Sequence, residues 1–422
     1  MQQKHYRAIG ETLYTDKLEN GLTVYVIPKP GYEKKYAFFA TSYGGADRRF
    51  QSDGAWQDTP AGIAHFLEHK LFDTKDGNAL ADLAAGGAQP NAFTSAELTA
   101  YYFECTDGFE DNLKTLLSFV SEPYFTAESV AKEQGIIGQE IGMIEDSPGH
   151  VVYYNLLRGL YDTHPVRDMI SGTVESISEI TADTLYNLHR AFYRPSNMVL
   201  CAVGDIDPER VREMAETILP KEFSEPPVKD YGPEDTAPVI QTRTEAEMPV
   251  SQPMFLTGTR VPPSEKGRAY LRQDLMGYLA TQYLAGKSSP LYIRLYADGL
   301  IAGDFSCGFL GGRSYALTEF GGESKDPDRV LTEIQAEVAA TLTAGMDQTR
   351  FTRLKKALSG KLIRSLDSVE NLCYEQTESH FHGTSALDRL EILRDITADE
   401  VLEFIKTHLT AEKFALSIVR PA

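Results

Sequence analysis

The spacing of hydrophobic positions changes repeatedly along the chain between the period of a strand and that of a helix. Short apolar or alternating segments bounded by turn residues predict β-strands. These segments are residues 21–27, 36–43, 92–103, 198–203, 254–259, 304–320 and 414–419. Apolar residues three and four positions apart predict amphipathic helices. These helices are expected over residues 61–71, 111–120, 126–145, 208–219, 271–284, 328–344, 349–367 and 398–409. Because strands and helices are interspersed throughout the chain, the predicted fold class is α+β.

A proline-rich stretch separates the chain into two halves. Nine prolines occur from Pro220 to Pro263, both included, mixed with acidic residues and few long apolar runs. Proline removes a backbone donor and fixes φ, so this stretch predicts an extended tether and not a core element. The second half repeats the strand and helix order of the first, which indicates an internal duplication. We expect an N-terminal domain over residues 1–222, a linker over 223–250 and a similar C-terminal domain over 251–422.

Composition and charge narrow the class of protein. The chain has 422 residues, of which 42% are hydrophobic, which is enough for two medium-sized cores. Its 41 Lys and Arg against 61 Asp and Glu give a net charge of −20, which argues against nucleic acid or an anionic membrane as a partner. No 18-residue apolar run predicts a membrane span, and the N-terminus has no apolar signal segment. The four cysteines are scattered and form no C-x-x-C pair, so we expect reduced thiols and a cytoplasmic protein.

The sharpest chemical feature is the sequence His65-Phe66-Leu67-Glu68-His69 inside a predicted helix. Residues four apart lie one turn apart on the same helix face, so both imidazoles can reach a single zinc ion. Glu68 projects toward the same ion and can take a proton from the water that the ion activates. The H-x-x-E-H pattern is the inverted form of the zinc-peptidase helix. Taken alone, the motif also fits two surface histidines beside a solvated glutamate.

A catalytic zinc ion needs a third protein ligand, which should come from another segment. The helix predicted over residues 126–145 carries Glu133 and Glu140, which are seven residues, or two turns, apart and therefore share a face. One of them can bind the metal while the other forms a hydrogen bond to a histidine or to the water. Ordinary surface charge on a helix is the other explanation for these two carboxylates.

These segments resemble the pitrilysin (insulinase-type) zinc peptidases, a family that includes the mitochondrial processing peptidase and bacterial two-subunit members. Residues 62–69 resemble the family's zinc-binding signature, and residues 133–140 resemble its second helix. The resemblance follows the element order of the whole chain and is strongest over about residues 20–205. It implies two similar αβ-roll domains, joined by the proline-rich linker, that enclose peptide substrates.

The resemblance also implies a role for each candidate residue of the metal centre. In the family's second helix the later of the two glutamates binds the metal. His65, His69 and Glu140 are therefore expected to bind Zn²⁺ as the cofactor. Glu68 is expected to be the catalytic general base, and Glu133 to support a metal ligand from outside the coordination sphere.

A further segment resembles the edge strand with which the family binds extended substrates. Its expected substrate-binding residues are Asn91, Ala92, Phe93 and Thr94. Strand addition holds a peptide mainly through backbone hydrogen bonds, so it tolerates many sequences. The implied function is a zinc-dependent endopeptidase that hydrolyses peptides or unfolded segments.

The C-terminal half departs from the family at a substrate-binding pair. Active members need an Arg and a Tyr seven residues apart to hold the substrate carbonyl. Aligning residues 299–300 with the family's Gly-Leu puts Leu295 and Ala302 at these positions, and a shift by one gives Arg294 and Ile301. We therefore hypothesise that this chain is the zinc-bearing subunit of a two-subunit peptidase whose homologous partner supplies the pair, or else that it forms a homodimer. A metal-binding but catalytically silent assembly subunit and a small-molecule hydrolase are the alternatives.

Overall fold

The chain folds into two structural units, each built around one main β-sheet. The computed structural model describes residues 1–52 and 54–422. Unit 1 consists of Met1–Ile141, Met169–Tyr231 and Ile363–Leu387, and unit 2 consists of Gly142–Asp168, Gly232–Leu362 and Asp388–Ala422. Both units mix strands and helices, which confirms the predicted α+β class. None of the described helices is long and apolar enough to cross a membrane.

The strands are short and occur in both halves of the chain. They are β1 (Gln2–Tyr6), β2 (Glu11–Lys17), β3 (Thr23–Pro28), β4 (Lys35–Thr41), β5 (Arg49–Ser52), β6 (Ala55–Asp58), β7 (Asp73–Thr74), β8 (Gly77–Asn78), β9 (Gln89–Thr94), β10 (Thr99–Cys105), β11 (Met198–Gly204), β12 (Val228–Asp230), β13 (Arg243–Met248), β14 (Met254–Val261), β15 (Ser306–Gly311), β16 (Ala316–Glu323) and β17 (Phe414–Pro421).

The helices include both predicted and unpredicted segments. They are α1 (Ile63–Leu71), α2 (Ala79–Ala85), α3 (Phe109–Ser121), α4 (Ala127–Glu145), α5 (Pro148–Leu160), α6 (Val174–Ser178), α7 (Ala182–Phe192), α8 (Pro208–Ile218), α9 (Arg268–Ala285), α10 (Pro290–Ala297), α11 (Pro327–Ala344), α12 (Gln348–Ser365), α13 (Val369–Phe381), α14 (Arg389–Asp395) and α15 (Ala398–His408).

The main sheet of unit 1 has seven strands in the order β1-β2-β3-β11-β4-β10-β9. Strands β3 and β11 are parallel, and all other neighbours in this sheet are antiparallel. The central strand β11 is buried along its whole length, because apolar side chains cover both faces of the sheet. Leu200 and Ala202 belong to the hydrophobic cluster on one face, whereas Val199, Cys201 and Val203 belong to the cluster on the other.

The sheet of unit 2 repeats the strand order of unit 1. Its order is β13-β17-β14-β16-β15, with a parallel first pair and antiparallel pairs thereafter. The segment β3-β11-β4-β10-β9 of unit 1 has the same order and the same strand directions. The topology therefore confirms the prediction of two similar domains, which sequence identity between the halves was too low to show.

Two helices belong to a different unit from their sequence neighbours, so the units are not continuous ranges like 1–222 and 251–422. Helix α5 packs against β13, β14 and β17 within unit 2, and α13 packs against β4 and β11 within unit 1. Gly159 makes the first packing possible, because a Cβ there would lie 2.9 Å from the carbonyl oxygen of Gln241. Hydrophobic periodicity marks the buried face of a helix but does not say which sheet covers it.

The proline-rich stretch over residues 223–250 contains two strands as well as irregular chain. Strand β12 pairs with β5, and β13 pairs with β17 at the edge of the unit 2 sheet. The sequence of β13 is mostly polar, with exposed and half-buried side chains in alternation. An edge strand of this kind has one weakly buried face, which is why its polar sequence predicts an extended tether and not a strand.

Helix α1, which carries the histidine motif, begins directly after Gly62. This glycine has a φ of +90°. A Cβ at this position would lie 2.5 Å from the carbonyl oxygen of Ser171. The position therefore requires glycine both for its backbone conformation and for the close approach of the neighbouring chain.

Gly62→Ala should lower the free energy of unfolding by about 1–3 kcal/mol, because alanine adds strain at positive φ and a steric clash. The matched control is Gly360→Ala within α12, where a Cβ meets no atom within 4 Å. The control should leave stability unchanged or raise it by about 0.4–1 kcal/mol. Urea denaturation measures both variants, and equal effects of the two substitutions would contradict this view of the α1 start.

Candidate metal centre

Helix α1 presents His65 and His69 side by side on one face. Their ring centroids lie 4.5 Å apart. Phe66 and Leu67, on the opposite side of the helix, are fully buried in the core of unit 1. This apolar anchor fixes the rotation of α1, so that the two imidazoles face away from the hydrophobic core.

Helix α4 brings Glu140 to the same two imidazoles. His65 Nε2 lies 3.5 Å from Glu140 Oε1, and His69 Nε2 lies 3.7 Å from Glu140 Oε2. The candidate ligand atoms of the three residues all lie within 4.8 Å of one another. Two ligands about 2.1 Å from a tetrahedral zinc ion are about 3.4 Å apart. The spacing and the chemistry of these three groups therefore fit a single Zn²⁺ ion.

Glu133 lies behind His69. The helix spacing alone did not distinguish Glu133 from Glu140 as the metal ligand. His69 Nδ1 donates a hydrogen bond to Glu133 Oε1 at 3.1 Å. This bond places a proton on Nδ1, so Nε2, which lies beside Glu140, is the ring nitrogen able to bind a metal. The structure thus separates Glu140, beside both Nε2 atoms, from Glu133, which orients one imidazole.

The electrostatic environment differs between the two histidines. Burial, and next the charge of His69, lower the pKa of His65 to about 4, so its imidazole is neutral at pH 7. Burial alone would lower the pKa of His69, but its bond to Glu133 and the neighbouring carboxylates outweigh burial and raise that pKa. Burial would raise the pKa of Glu133, yet the bond to His69 and nearby positive charges lower it. His65 is therefore neutral and Glu133 ionised beside the candidate ligand atoms, an environment that suits a bound cation.

Glu68 is buried, with only 7% of its surface exposed. Burial raises its pKa, and a hydrogen bond from Thr94 partly opposes that increase. Thr94 Oγ1 donates this bond to Glu68 Oε2 at 2.7 Å. The hydroxyl occupies one carboxylate oxygen, which leaves Oε1 as the oxygen able to accept a proton.

The residues expected to bind substrate lie on β9, at the edge of the unit 1 sheet, where β10 is the one neighbouring strand within the described residues. Successive side chains point to opposite faces. The Thr94 side chain reaches Glu68, whereas Phe93 packs on the other face against the rings of Tyr102 and Tyr374. Asn91 accepts a hydrogen bond from the backbone N–H of Ala92 at 2.9 Å. The Phe93 side chain is therefore packed within unit 1, on the face opposite to Thr94.

The region in which the family's Arg and Tyr were sought lies in unit 2. Arg294 forms an ion pair of 3.1 Å with Glu333. Leu295 and Ile301 are buried in the core of that unit. Neither alignment of this region therefore provides a free arginine and a tyrosine seven residues apart.

Lys70, the residue that follows the second histidine, is not among the residues predicted for the site. Its side chain is only 1% exposed, and its Nζ lies 3.8 Å from Glu133 Oε2. Lys70 occupies the same helical stripe as the buried residues Phe66 and Leu67. A lysine on an otherwise apolar stripe was the signal that could have identified it.

The sequence matches two family descriptions that together cover most of the chain. Residues 52–174 match "Insulinase (Peptidase family M16)", and residues 179–358 match "Peptidase M16 inactive domain". The chain is 38% identical over 424 residues to the uncharacterised zinc protease YmfH of Bacillus subtilis (strain 168), covering 99% of this chain and 98% of that protein. It is 29% identical over 324 residues to the uncharacterised zinc protease ML0855 of Mycobacterium leprae (strain TN), covering 73% and 71% of the two chains.

Solved structures share this fold. A crystal structure from Alicyclobacillus acidocaldarius, assigned as an M16-like peptidase, matches with a TM-score of 0.93 and 34% identity over 98% of this chain and 99% of that chain. Pitrilysin matches in fold with a TM-score of 0.76 and 17% identity. The match to pitrilysin covers all of this chain but only 46% of the pitrilysin chain.

The purified chain should bind one Zn²⁺ ion, and Glu140→Gln should weaken this binding by more than about 100-fold because it removes a charged ligand. The matched control is Glu145→Gln, which neutralises an exposed carboxylate on the same helix. Competition with a chelator measures both affinities. Equal zinc affinities of the two variants would show that Glu140 does not bind the ion.

Proposed function

Because the chain belongs to the insulinase (M16) family of peptidases, we propose that it is a zinc-dependent endopeptidase that hydrolyses peptides or unfolded segments. The observation that carries this proposal is the convergence of His65, His69 and Glu140 next to the buried carboxylate of Glu68. The names of its relatives, which are zinc proteases, support the same activity.

His65, His69 and Glu140 would hold the zinc ion, which when bound lowers the pKa of water and polarises a peptide carbonyl. Glu68 would accept the proton of the attacking water and return it to the leaving amine. Its raised pKa favours this exchange, because a base whose pKa lies closer to neutrality both accepts and releases a proton readily. Thr94 would hold the carboxylate in one orientation.

Strand β9 would bind the substrate as an additional strand. Its outer edge is available within the described part of the sheet, and its last residue, Thr94, contacts the proposed base. Backbone pairing along this edge would place an extended peptide next to Glu68 without reading its side chains. This geometry supports peptides and unfolded segments as the substrate class.

A homologous partner subunit would complete the substrate site. This chain corresponds to about half of pitrilysin, since the match covers 46% of that chain. Arg294 forms an ion pair with Glu333. A second copy of the same chain would lack the Arg and Tyr pair as well. These observations favour a heterodimer with a different, homologous chain over a homodimer.

Glu68→Gln should reduce hydrolysis of a fluorogenic peptide library by about 100- to 10,000-fold, because the amide cannot act as a base. The same variant should keep its zinc, since Glu68 is not a proposed ligand. Rates should be measured for the isolated chain and for the chain with its homologous candidate partner, which should increase the rate.

Three outcomes would contradict parts of this proposal. Full family activity of the isolated chain, abolished by Glu68→Gln, would exclude the need for a partner. Bound zinc without peptide hydrolysis, even with the partner, would favour a catalytically silent assembly subunit. Hydrolysis of esters but not of peptides would favour a small-molecule hydrolase.

Thr94→Val should lower kcat by about 10-fold, because valine has a similar shape but donates no hydrogen bond to Glu68. Thr94→Ser keeps the hydroxyl and should retain most of the activity. Steady-state kinetics of both variants, with zinc content as a control, check this prediction. Similar losses for serine and valine would point to packing of the threonine methyl group and not to the hydrogen bond.

A further inference from the structure

Lys70 is a buried cation directly beside the proposed metal centre. It follows His69 in α1, and its side chain is 1% exposed. An ammonium group at this depth requires negatively charged partners, because its desolvation is otherwise uncompensated. The carboxylates that surround the Lys70 ammonium group therefore indicate which part of the site this positive charge supports.

Two carboxylates from different segments face the Lys70 ammonium group. Lys70 Nζ donates a hydrogen bond to Asp73 Oδ2. Asp73 belongs to the β7–β8 hairpin, in which it pairs with Asn78. The second carboxylate is Glu133, whose Oε2 lies 3.8 Å from Nζ. The first contact secures the ammonium group locally, and the second connects it to α4.

Glu133 divides its two oxygens between His69 and Lys70. Oε1 accepts the hydrogen bond from His69 Nδ1 at 3.1 Å, and Oε2 faces Lys70. The Glu133 side chain is largely buried, so the charge of Lys70 acts on it with little screening by water. Lys70 thereby holds the Glu133 carboxylate in the orientation that His69 requires.

We propose that Lys70 is a positioning residue for the metal centre, which acts through Glu133 to direct His69 Nε2 toward the ion. A carboxylate held in place by a second contact fixes the hydrogen bond from Nδ1 and so the orientation of the imidazole as a ligand. The inference rests on the proposed zinc site. The competing explanation is a purely structural cation that serves only Asp73 and the start of the β7–β8 hairpin.

The test is a double-mutant cycle on zinc affinity, measured by competition with a chelator. Lys70→Met keeps the length of the side chain without its charge and should weaken zinc binding by about 10-fold. Glu133→Gln should weaken binding by about 10- to 100-fold. Because Lys70 acts through Glu133, the double variant should bind zinc no more than about twofold more weakly than Glu133→Gln alone.

Two further variants keep the test decisive. Asp73→Asn removes the other partner of Lys70 and should leave zinc affinity within about twofold of the wild type, since Glu133 keeps its cation. Lys70→Gln replaces Lys70→Met if the methionine variant does not fold, which circular dichroism will show.

The inference is overturned if Lys70→Met weakens binding by the same factor with and without Glu133. It is also overturned if Lys70→Met lowers the unfolding temperature but leaves zinc affinity unchanged. In both cases the wild type binds zinc, so the proposed function stands. A wild type that binds no zinc would remove the proposed function and this inference together.

Discussion

The proposed function depends on one electrostatic arrangement, in which two imidazoles of α1 meet the carboxylate of Glu140 from α4. Glu133 and Glu68 add two more carboxylates within the same small volume. Carboxylates that lie this close repel one another unless a cation is shared among them. A divalent ion between His65, His69 and Glu140 would relieve this repulsion.

The fold supports this arrangement through the packing of α1, α4 and the edge of one sheet. Gly62 fixes where α1 begins, and buried apolar residues on α1 fix its rotation. On α4, Val130, Ile137 and Ile141 are buried, and at 3.6 residues per turn Glu133 and Glu140 lie along one flank of this buried face. Strand β9 then brings Thr94 to Glu68. The hydrophobic core thus determines the geometry of the polar centre.

Much of the fold could be predicted from the sequence, because long periodic segments leave few alternatives. The helices predicted over residues 126–145 and 328–344 match α4 and α11 closely, and the strand predicted over 198–203 matches β11. The exchange of α5 and α13 between the units could not be predicted. The choice of sheet depends on tertiary contacts, such as the one that Gly159 allows.

The candidate site shows the same division between local and tertiary information. The spacing of His65 and His69 is a property of one helix, so their proximity follows from the sequence. The spacing of Glu133 and Glu140 did not determine which of them faces the imidazoles, because that depends on how α4 packs against α1. The contacts of Thr94 and Lys70 could not be predicted for the same reason, since their partners lie on other elements or after a turn.

The most direct measurement is X-ray diffraction from crystals of the zinc-treated chain, with anomalous data collected on both sides of the zinc absorption edge. We expect one strong anomalous peak per chain, about 2.0–2.2 Å from His65 Nε2, His69 Nε2 and a carboxylate oxygen of Glu140. Zinc bound elsewhere, or no peak between these three side chains, would contradict this expectation.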